Sequence, residues 1–160
     1  MNPGVFCPGM IREVKQMPAS ESILIPEKKP FAPVDTAIKL YKKVFAVCIK
    51  MPKRYTFFGL QQTVELAGSV MDNAKRANSV FAKNDHEKQI RIDYWIMARA
   101  DLQALSTRID RFTDAYGTLS YKDEHSGRTK GVTIKELGEI ADLINSEMTN
   151  LTNVIQRERN

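Results

Sequence analysis

The sequence has 160 residues, of which 42% are hydrophobic and 27% are charged, and its formal net charge is +5. This length and composition are typical of one globular domain, and they exclude a wholly disordered or collagen-like chain. The longest apolar runs are too short to cross a bilayer. The first residues include Pro3 and Gly4 and lack the basic segment followed by an apolar segment that a secretory signal has. We therefore expect a soluble cytoplasmic protein that does not enter a membrane.

The first 33 residues are predicted to form an irregular arm. They contain six of the seven prolines, and proline interrupts helices because its ring fixes the backbone and removes a hydrogen-bond donor. We therefore divide the chain into a proline-rich arm, residues 1–33, and a helical bundle, residues 34–160.

The first helix is predicted to start near Val34, with Asp35 or Thr36 as its N-cap. It should end near Lys50, because Pro52 follows. Its expected apolar face is Ile38, Tyr41, Phe45 and Cys48.

The second helix is predicted to open near Tyr55 or Thr56. Apolar and small residues then recur at alternating steps of four and three, which indicates a seam that packs against neighbouring helices at a shallow angle. The residues of this seam are Leu60, Val64, Ala67, Met71, Ala74, Asn78 and Phe81.

The third helix is predicted to run from a cap at Asp85 to about Tyr116, and Gly117 is its natural stop. Its expected apolar face is Ile90, Tyr94, Met97, Ala98, Leu102, Leu105, Ile109 and Phe112. Residues 118–132 are polar and lack periodicity, so a loop is expected there.

The last helix is predicted to start after Thr133, which forms a capping box with Glu136. Its apolar face is Leu137, Ile140, Ala141, Ile144, Met148, Leu151 and Ile155. Helices without alternating strands predict an all-α fold, an antiparallel up-down four-helix bundle. We expect these side chains to point inward: Val64, Met71, Phe81, Leu105, Phe112, Ile144 and Leu151.

The positive charge is concentrated in residues 34–83, which hold nine basic and three acidic side chains. Such a surface attracts polyanions, because lysine and arginine release counterions when they neutralise phosphates. A solvated basic surface without a nucleic-acid ligand is the alternative. The candidate nucleic-acid-binding residues are Lys39, Lys42, Lys43, Lys50, Lys53, Arg54, Lys75, Arg76 and Lys83.

Residues that carry enzyme chemistry are sparse. His86 and His125 both fall in predicted loops, and Cys7 and Cys48 have no metal-ligand spacing, so we expect no metal, cofactor or catalytic residue. Three acidic residues of the third helix are spread around its axis and are expected on solvated or ion-paired faces: Asp93, Asp101 and Asp110. The loop Ser126-Gly127-Arg128-Thr129-Lys130-Gly131 lacks the order of a phosphate-binding loop.

One stretch resembles a known bacterial family. A short first helix with Tyr41 is followed by Pro52-Lys53-Arg54-Tyr55, by Gly59, and by an alanine-rich helix that ends in Ala77-Asn78. Over about residues 36–116 this is similar to the four-helix bundle proteins that include the accessory variability determinant of diversity-generating retroelements and the proteins encoded in intervening sequences of ribosomal RNA genes.

The resemblance implies a basic homo-oligomer, pentameric in the retroelement members, that associates with a reverse transcriptase and structured RNA and catalyses nothing itself. We expect structured RNA or DNA as the ligand. The alternative is a protein-protein interaction and oligomerisation module without nucleic-acid binding. The two differ in their dependence on salt, since phosphate contacts weaken steeply with ionic strength and apolar contacts do not.

Overall fold

The computed structural model describes residues 31–51, 59–115, 120–122 and 129–160. Within these ranges four helices pack against each other, as the all-helical prediction required, and two three-residue strands occur between the third and fourth helices. Residues 1–30 of the predicted arm lie outside the described residues. The elements are α1 (Ala32–Lys50), α2 (Leu60–Ser79), α3 (Asp85–Asp114), β1 (Ser120–Lys122), β2 (Thr129–Gly131) and α4 (Ile134–Arg159).

Each helix packs mainly against two others. Helix α1 contacts α2 and α4, and α3 contacts the same two helices from the other side. Near the start of α1, the Asn150 side-chain amide of α4 donates a hydrogen bond of 3.3 Å to the Thr36 hydroxyl. At the other end of α1, Lys50 forms an ion pair with Glu136, in the first turn of α4.

Helix α1 begins earlier than predicted, at Ala32, and its N-cap is Phe31 and not Asp35 or Thr36. Proline is tolerated in the first turn of a helix, where its missing N–H would have no partner. Pro33 therefore belongs to α1 and is buried, and α1 begins two residues before Val34. The predicted end at Lys50 is confirmed.

The buried face of α1 is rotated from the predicted one. It consists of small and branched residues, whereas Ile38 and Tyr41 are partly exposed and Phe45 is 46% exposed. Sequence reasoning favoured the larger side chains, but alanine and valine allow the neighbouring helices a closer approach. Cys48 is buried as predicted. The buried residues are Pro33, Ala37, Leu40, Val44, Val47 and Cys48.

The described part of α2 starts at Leu60, and the predicted start at Tyr55 or Thr56 falls in residues 52–58, which are outside the described ranges. Gly59, its N-cap, has φ of +106°, a conformation that glycine adopts without strain. The predicted inward position of Phe81 is wrong: α2 ends at Ser79, so the helical spacing no longer holds, and Phe81 is 78% exposed.

The buried face of α2 is rotated from the predicted seam. Ala67 and Ala74 are fully buried, but Val64 and Met71 are only partly buried and Asn78 is exposed. The buried set also includes residues that the sequence pattern missed because they are polar or lie one position away. That set is Leu60, Thr63, Ala67, Val70, Asn73, Ala74 and Ala77.

Helix α3 has 30 residues and is about 45 Å long. Its N-cap is Asn84 and not Asp85: the Asn84 side-chain oxygen accepts a hydrogen bond from the Glu87 backbone N–H. Trp95, which the predicted apolar face omitted, is 1% exposed. Met97 and Ile90, which were assigned to that face, are exposed and partly buried respectively. The buried residues are Ile92, Trp95, Ala98, Leu102, Leu105 and Ile109.

The segment predicted as a loop contains an antiparallel pair of strands, in which Ser120 pairs with Gly131 and Lys122 with Thr129. Three residues a side are too few to give an alternating hydrophobic pattern, which is why the sequence did not indicate them. The capping box of α4 is confirmed, since the Thr133 hydroxyl accepts from the Glu136 N–H and the Glu136 carboxylate accepts from the Thr133 N–H.

The apolar face of α4 agrees best with the prediction. Leu137, Ile140, Ile144, Leu151 and Ile155 are all buried. They join the buried faces of the other three helices in one hydrophobic cluster. Of the remaining predicted core residues, Leu105 is buried and Phe112 is partly buried.

Candidate nucleic-acid interface

Seven of the nine candidate basic residues lie in the described ranges, and Lys53 and Arg54 fall outside them. Four of the seven are on α1 and two are on α2, and these helices pack against each other. Lys83 lies in the segment between α2 and α3 and is exposed. The structure therefore gathers most of the described candidates on two adjoining helices.

Three of the four α1 lysines already have carboxylate partners. Lys39 pairs with Asp35 one turn earlier at 2.7 Å, Lys43 pairs with Glu139, and Lys50 pairs with Glu136. Both glutamates belong to α4, so Lys43 and Lys50 link α1 to α4. The carboxylates partly neutralise the positive charges of the three lysines, which weakens the attraction of these lysines for a phosphate.

The two glutamates respond to these lysines. The hydrogen bond from Lys50, together with one from the Thr133 backbone, lowers the pKa of Glu136 to about 2. The hydrogen bond from Lys43 also lowers the pKa of Glu139. Both carboxylates therefore stay charged across the physiological pH range and keep their lysines engaged.

The remaining described candidates are free of such pairing. Lys42 on α1 and Lys75 and Arg76 on α2 are exposed, and none has a carboxylate partner within the described ranges. The side chain of Lys83 also has no carboxylate partner among the described residues, although its backbone N–H donates to Glu87. These residues carry positive charge that a phosphate could neutralise without first breaking an ion pair.

A shallow depression lies on α2, next to Arg76. It has a volume of about 410 Å³ and is lined mainly by polar side chains of α2, with Tyr41 of α1 at one edge. A Cβ atom added to Gly68 would lie 3.7 Å from the Tyr41 ring, an ordinary van der Waals distance, so Gly68 and Tyr41 lie side by side at this edge. Arg76 lines the same depression.

Two polar side chains that line this depression, Ser69 and Asn73, form a network with Asp101 of α3. The Ser69 hydroxyl donates to Asp101 at 2.6 Å, and the Asn73 side-chain amide donates to the same Asp101 oxygen at 3.0 Å. Asp101 was expected on a solvated or ion-paired face, and instead it holds the buried Asn73. Asp93, by contrast, is exposed and accepts from Gln89, and Asp110 is exposed.

Glu147 is a buried carboxyl that the sequence analysis did not single out. It is fully buried on α4, and its Oε2 accepts a long hydrogen bond of 3.5 Å from Asn150, while its Oε1 has no partner within the described residues. Burial raises its pKa to about 8. A glutamate at a position with apolar helical spacing, three residues after Ile144 and four before Leu151, is the signal that could have revealed it.

Groups suited to nucleophilic or metal chemistry do not converge in the described part of the chain. Burial raises the pKa of the Cys48 thiol to about 11, so the thiolate form that reacts is suppressed at neutral pH. Over the same ranges, no three side chains of the His, Cys, Asp and Glu types lie close enough to hold a metal ion. His86 is exposed, and His125 lies outside the described residues.

Comparison with models of known protein families found no match, and comparisons with curated proteins and with solved structures found none either. Nothing in these comparisons assigns a role to any residue. A search of the described helices for one that is long and apolar enough to cross a bilayer found none.

Proposed function

We propose that this protein is a non-catalytic, basic accessory protein that binds structured nucleic acid, with RNA as the first candidate. The observation that carries the proposal is the set of exposed basic side chains on the adjoining helices α1 and α2, Lys42, Lys75 and Arg76, which have no carboxylate partner among the described residues. Phosphate oxygens are the ligands that such side chains attract most strongly.

The resemblance described above suggests the rest of the assignment. We propose a homo-oligomer, with the pentamer of the retroelement members as its form, and a reverse transcriptase together with its structured RNA as the partner. DNA is the other nucleic acid that the same charges would bind, because phosphate contacts carry no sequence information.

The proposed architecture for this role is an antiparallel up-down bundle. Two ion pairs support it, since Lys50 at the end of α1 meets Glu136 at the start of α4, and Arg91 near the start of α3 meets Glu158 at the end of α4. Such a bundle holds basic side chains at fixed positions on rigid helices, which lets it recognise the shape of a folded RNA.

A second candidate function is protein-protein interaction and oligomerisation without nucleic acid. It is favoured by an apolar surface on α1, where Phe45 is 46% exposed and Ile49 is 66% exposed. The Phe45 ring stacks on Tyr41 with centroids 6.2 Å apart, which holds the aromatic surface in place. An exposed cluster of this kind is typical of a contact with another protein chain.

The experiment that tests the nucleic-acid proposal compares two triple variants in RNA-binding titrations at several salt concentrations. One variant changes the unpaired residues Lys42, Lys75 and Arg76 to Gln. The matched variant changes the paired residues Lys39, Lys43 and Lys50 to Gln. Both remove three positive charges, so any difference in affinity reports the availability of the charges and not their number.

We expect the first variant to bind a structured RNA at least about tenfold more weakly. The slope of log affinity against log salt should also fall by about 0.7–0.9 for each phosphate that the variant no longer neutralises. The matched variant should be affected much less. Equal effects of the two variants, or wild-type binding that does not weaken with salt, would contradict the proposal. Salt-insensitive self-association that Phe45→Ser abolishes would favour the interaction module instead.

A further inference from the structure

A depression on the opposite pair of helices has a different character. It lies between α3 and α4, has a volume of about 450 Å³, and is lined by Ile96, Arg99, Ala100, Gln103, Ile155 and Arg159. Its volume is within the range of sites that bind ligands in proteins. Ile155 is buried, whereas the other five are exposed, so an apolar floor lies between accessible walls.

The apolar surface continues along α3 beyond the depression. Ile96 is 39% exposed and Met97 is 50% exposed, and Ala100 and Ala104 follow at steps that keep them on the same side of the helix. Helix α3 therefore has two apolar faces, of which one contributes Trp95 and its neighbours to the core. The second face has no partner within the described residues. Its small alanines would let the backbone of another helix approach closely.

Two positive charges border this face. Arg99 and Arg159 are exposed and have no hydrogen bond or ion pair with any described residue. Arg91, two turns before Arg99 on α3, pairs with Glu158, the residue before Arg159. The six residues that line the depression include no acidic side chain. A carboxylate partner for Arg99 and Arg159 would therefore have to come from outside the described residues.

We propose that the α3–α4 depression binds an amphipathic helix of a partner protein, whose apolar stripe lies on Ile96 and Ala100 and whose flanking Glu or Asp side chains pair with Arg99 and Arg159. When a helix binds in a groove, both the helix and the groove present an apolar surface. Opposite charges at the edge of the groove set the orientation of the bound helix. This inference goes beyond the nucleic-acid proposal and does not depend on it.

Two other occupants fit the same surface less well. A second copy of this chain, related by a twofold axis through the depression, would bring four guanidinium groups together without a lining carboxylate. RNA phosphates could contact the two arginines. However, the lining includes no aromatic ring on which a base could stack, and the apolar Ile96 offers no hydrogen bond to RNA.

The test uses a fluorescein-labelled helix-forming peptide of about 18 residues, with leucine at every third or fourth position and glutamate on both sides. A matched peptide carries lysine in place of glutamate. We expect the full-length chain to bind the acidic peptide with a Kd below about 1 mM and the basic peptide at least about tenfold more weakly. Arg99→Glu combined with Arg159→Glu should weaken the acidic peptide at least about tenfold.

The matched charge control combines Lys135→Glu with Arg157→Glu, which reverses two exposed charges of α4 that do not line the depression. It should change the affinity by less than about twofold. Ala100→Tyr tests the apolar part, because the ring would occupy the depression, and Ala46→Tyr on the exposed face of α1 is its control. Melting curves of all variants establish whether each remains folded. If the double arginine variant does not fold, the comparison of Ala100→Tyr with Ala46→Tyr tests the inference.

Three results would overturn the inference: no binding of the acidic peptide, equal binding of both peptides, or equal weakening in the charge variant and its control. Light scattering that shows a change of oligomeric mass on Ala100→Tyr would assign the face to a second copy. Loss of RNA binding in the double arginine variant, with peptide binding unchanged, would assign the arginines to phosphates.

Discussion

The ring of Phe31 lies against the ring of Trp95, with centroids 5.9 Å apart and ring planes inclined by 52°. Phe31 is the N-cap of α1, and Trp95 belongs to the buried face of α3. A residue at the start of the first helix thus covers the largest buried side chain of the third helix.

Removal of this ring should be visible in the fluorescence of the protein, because Trp95 is the single tryptophan of the sequence. We expect Phe31→Ala to shift the emission to longer wavelength and to lower the free energy of unfolding by about 1–2 kcal/mol, since the variant lacks an aromatic pair and partly buried apolar area. Phe45→Ala, which removes an exposed ring of α1, is the control. Equal spectra for Phe31→Ala and wild type would contradict the contact.

Glu147 should make the stability fall as pH rises. Its pKa is raised from 4.5 to about 8 by burial, so the unfolded chain loses this proton above about pH 4.5 while the folded chain keeps it. The contribution of the protonated carboxyl is fully present below pH 4.5 and is lost as pH rises toward 8. Because a tenfold change in a proton-binding constant corresponds to about 1.4 kcal/mol, we expect the free energy of unfolding to decrease by a few kcal/mol.

Urea unfolding at about pH 5, 6.5 and 8, on wild type and on Glu147→Gln, measures this dependence. The substitution removes the ionisation and should flatten the decrease over this range. Glu139→Gln, which removes the partly exposed carboxylate that pairs with Lys43, should leave the slope unchanged, because the lowered pKa of Glu139 places its titration at more acidic pH. A wild-type stability that rises steadily across these three pH values would contradict the assignment.

The start of α4 depends on Thr133. Its hydroxyl accepts a hydrogen bond from the Glu136 backbone N–H, and the Glu136 carboxylate accepts one from the Thr133 backbone N–H. Thr133→Ala should lower the free energy of unfolding by about 1 kcal/mol, the usual cost of removing an N-cap. Thr149→Ala on the exposed side of the same helix is the matched control, and an equal effect of the two changes would show that the cap contributes nothing.

The core register is tested by a pair of substitutions on α4 and beside α2. Leu151 is fully buried, and truncation to Ala should cost about 2–5 kcal/mol because a cavity is left. Phe81→Ala should change the free energy of unfolding by less than about 0.5 kcal/mol, since the ring is exposed. Chemical denaturation of the two variants checks both values, and a large cost at Phe81 would mean that something outside the described residues covers the ring.

Lys53 and Arg54 stay a prediction from the sequence, since both lie outside the described residues. If they belong to the nucleic-acid surface, Lys53→Glu with Arg54→Glu should weaken RNA binding with a nearly unchanged melting temperature. The slope of log affinity against log salt should fall by about one for each phosphate that these side chains neutralise. Loss of stability or of the oligomer, with RNA binding unaffected at equal folded concentration, would instead assign Arg54 to an ion pair.

The sequence by itself determined the helical class, the end of α1 at Lys50 and the capping box and apolar face of α4. These follow from local chemistry: a proline two residues beyond α1, a Thr-x-x-Glu cap, and a regular spacing of large aliphatic residues. Such signals act within one or two turns of the chain, so they hold wherever the helix packs.

The tertiary structure alone decided which faces of α1 and α2 became core and which charges have a partner among the described residues. Ala37 and Val44 are buried while Phe45 is exposed, because close packing of α1 against two neighbours favours small side chains over a large ring. Likewise, within the described ranges Lys43 has a carboxylate partner and Lys42 has none, because Glu139 of a distant helix lies beside Lys43. A residue's own neighbours in sequence cannot specify which helix it meets.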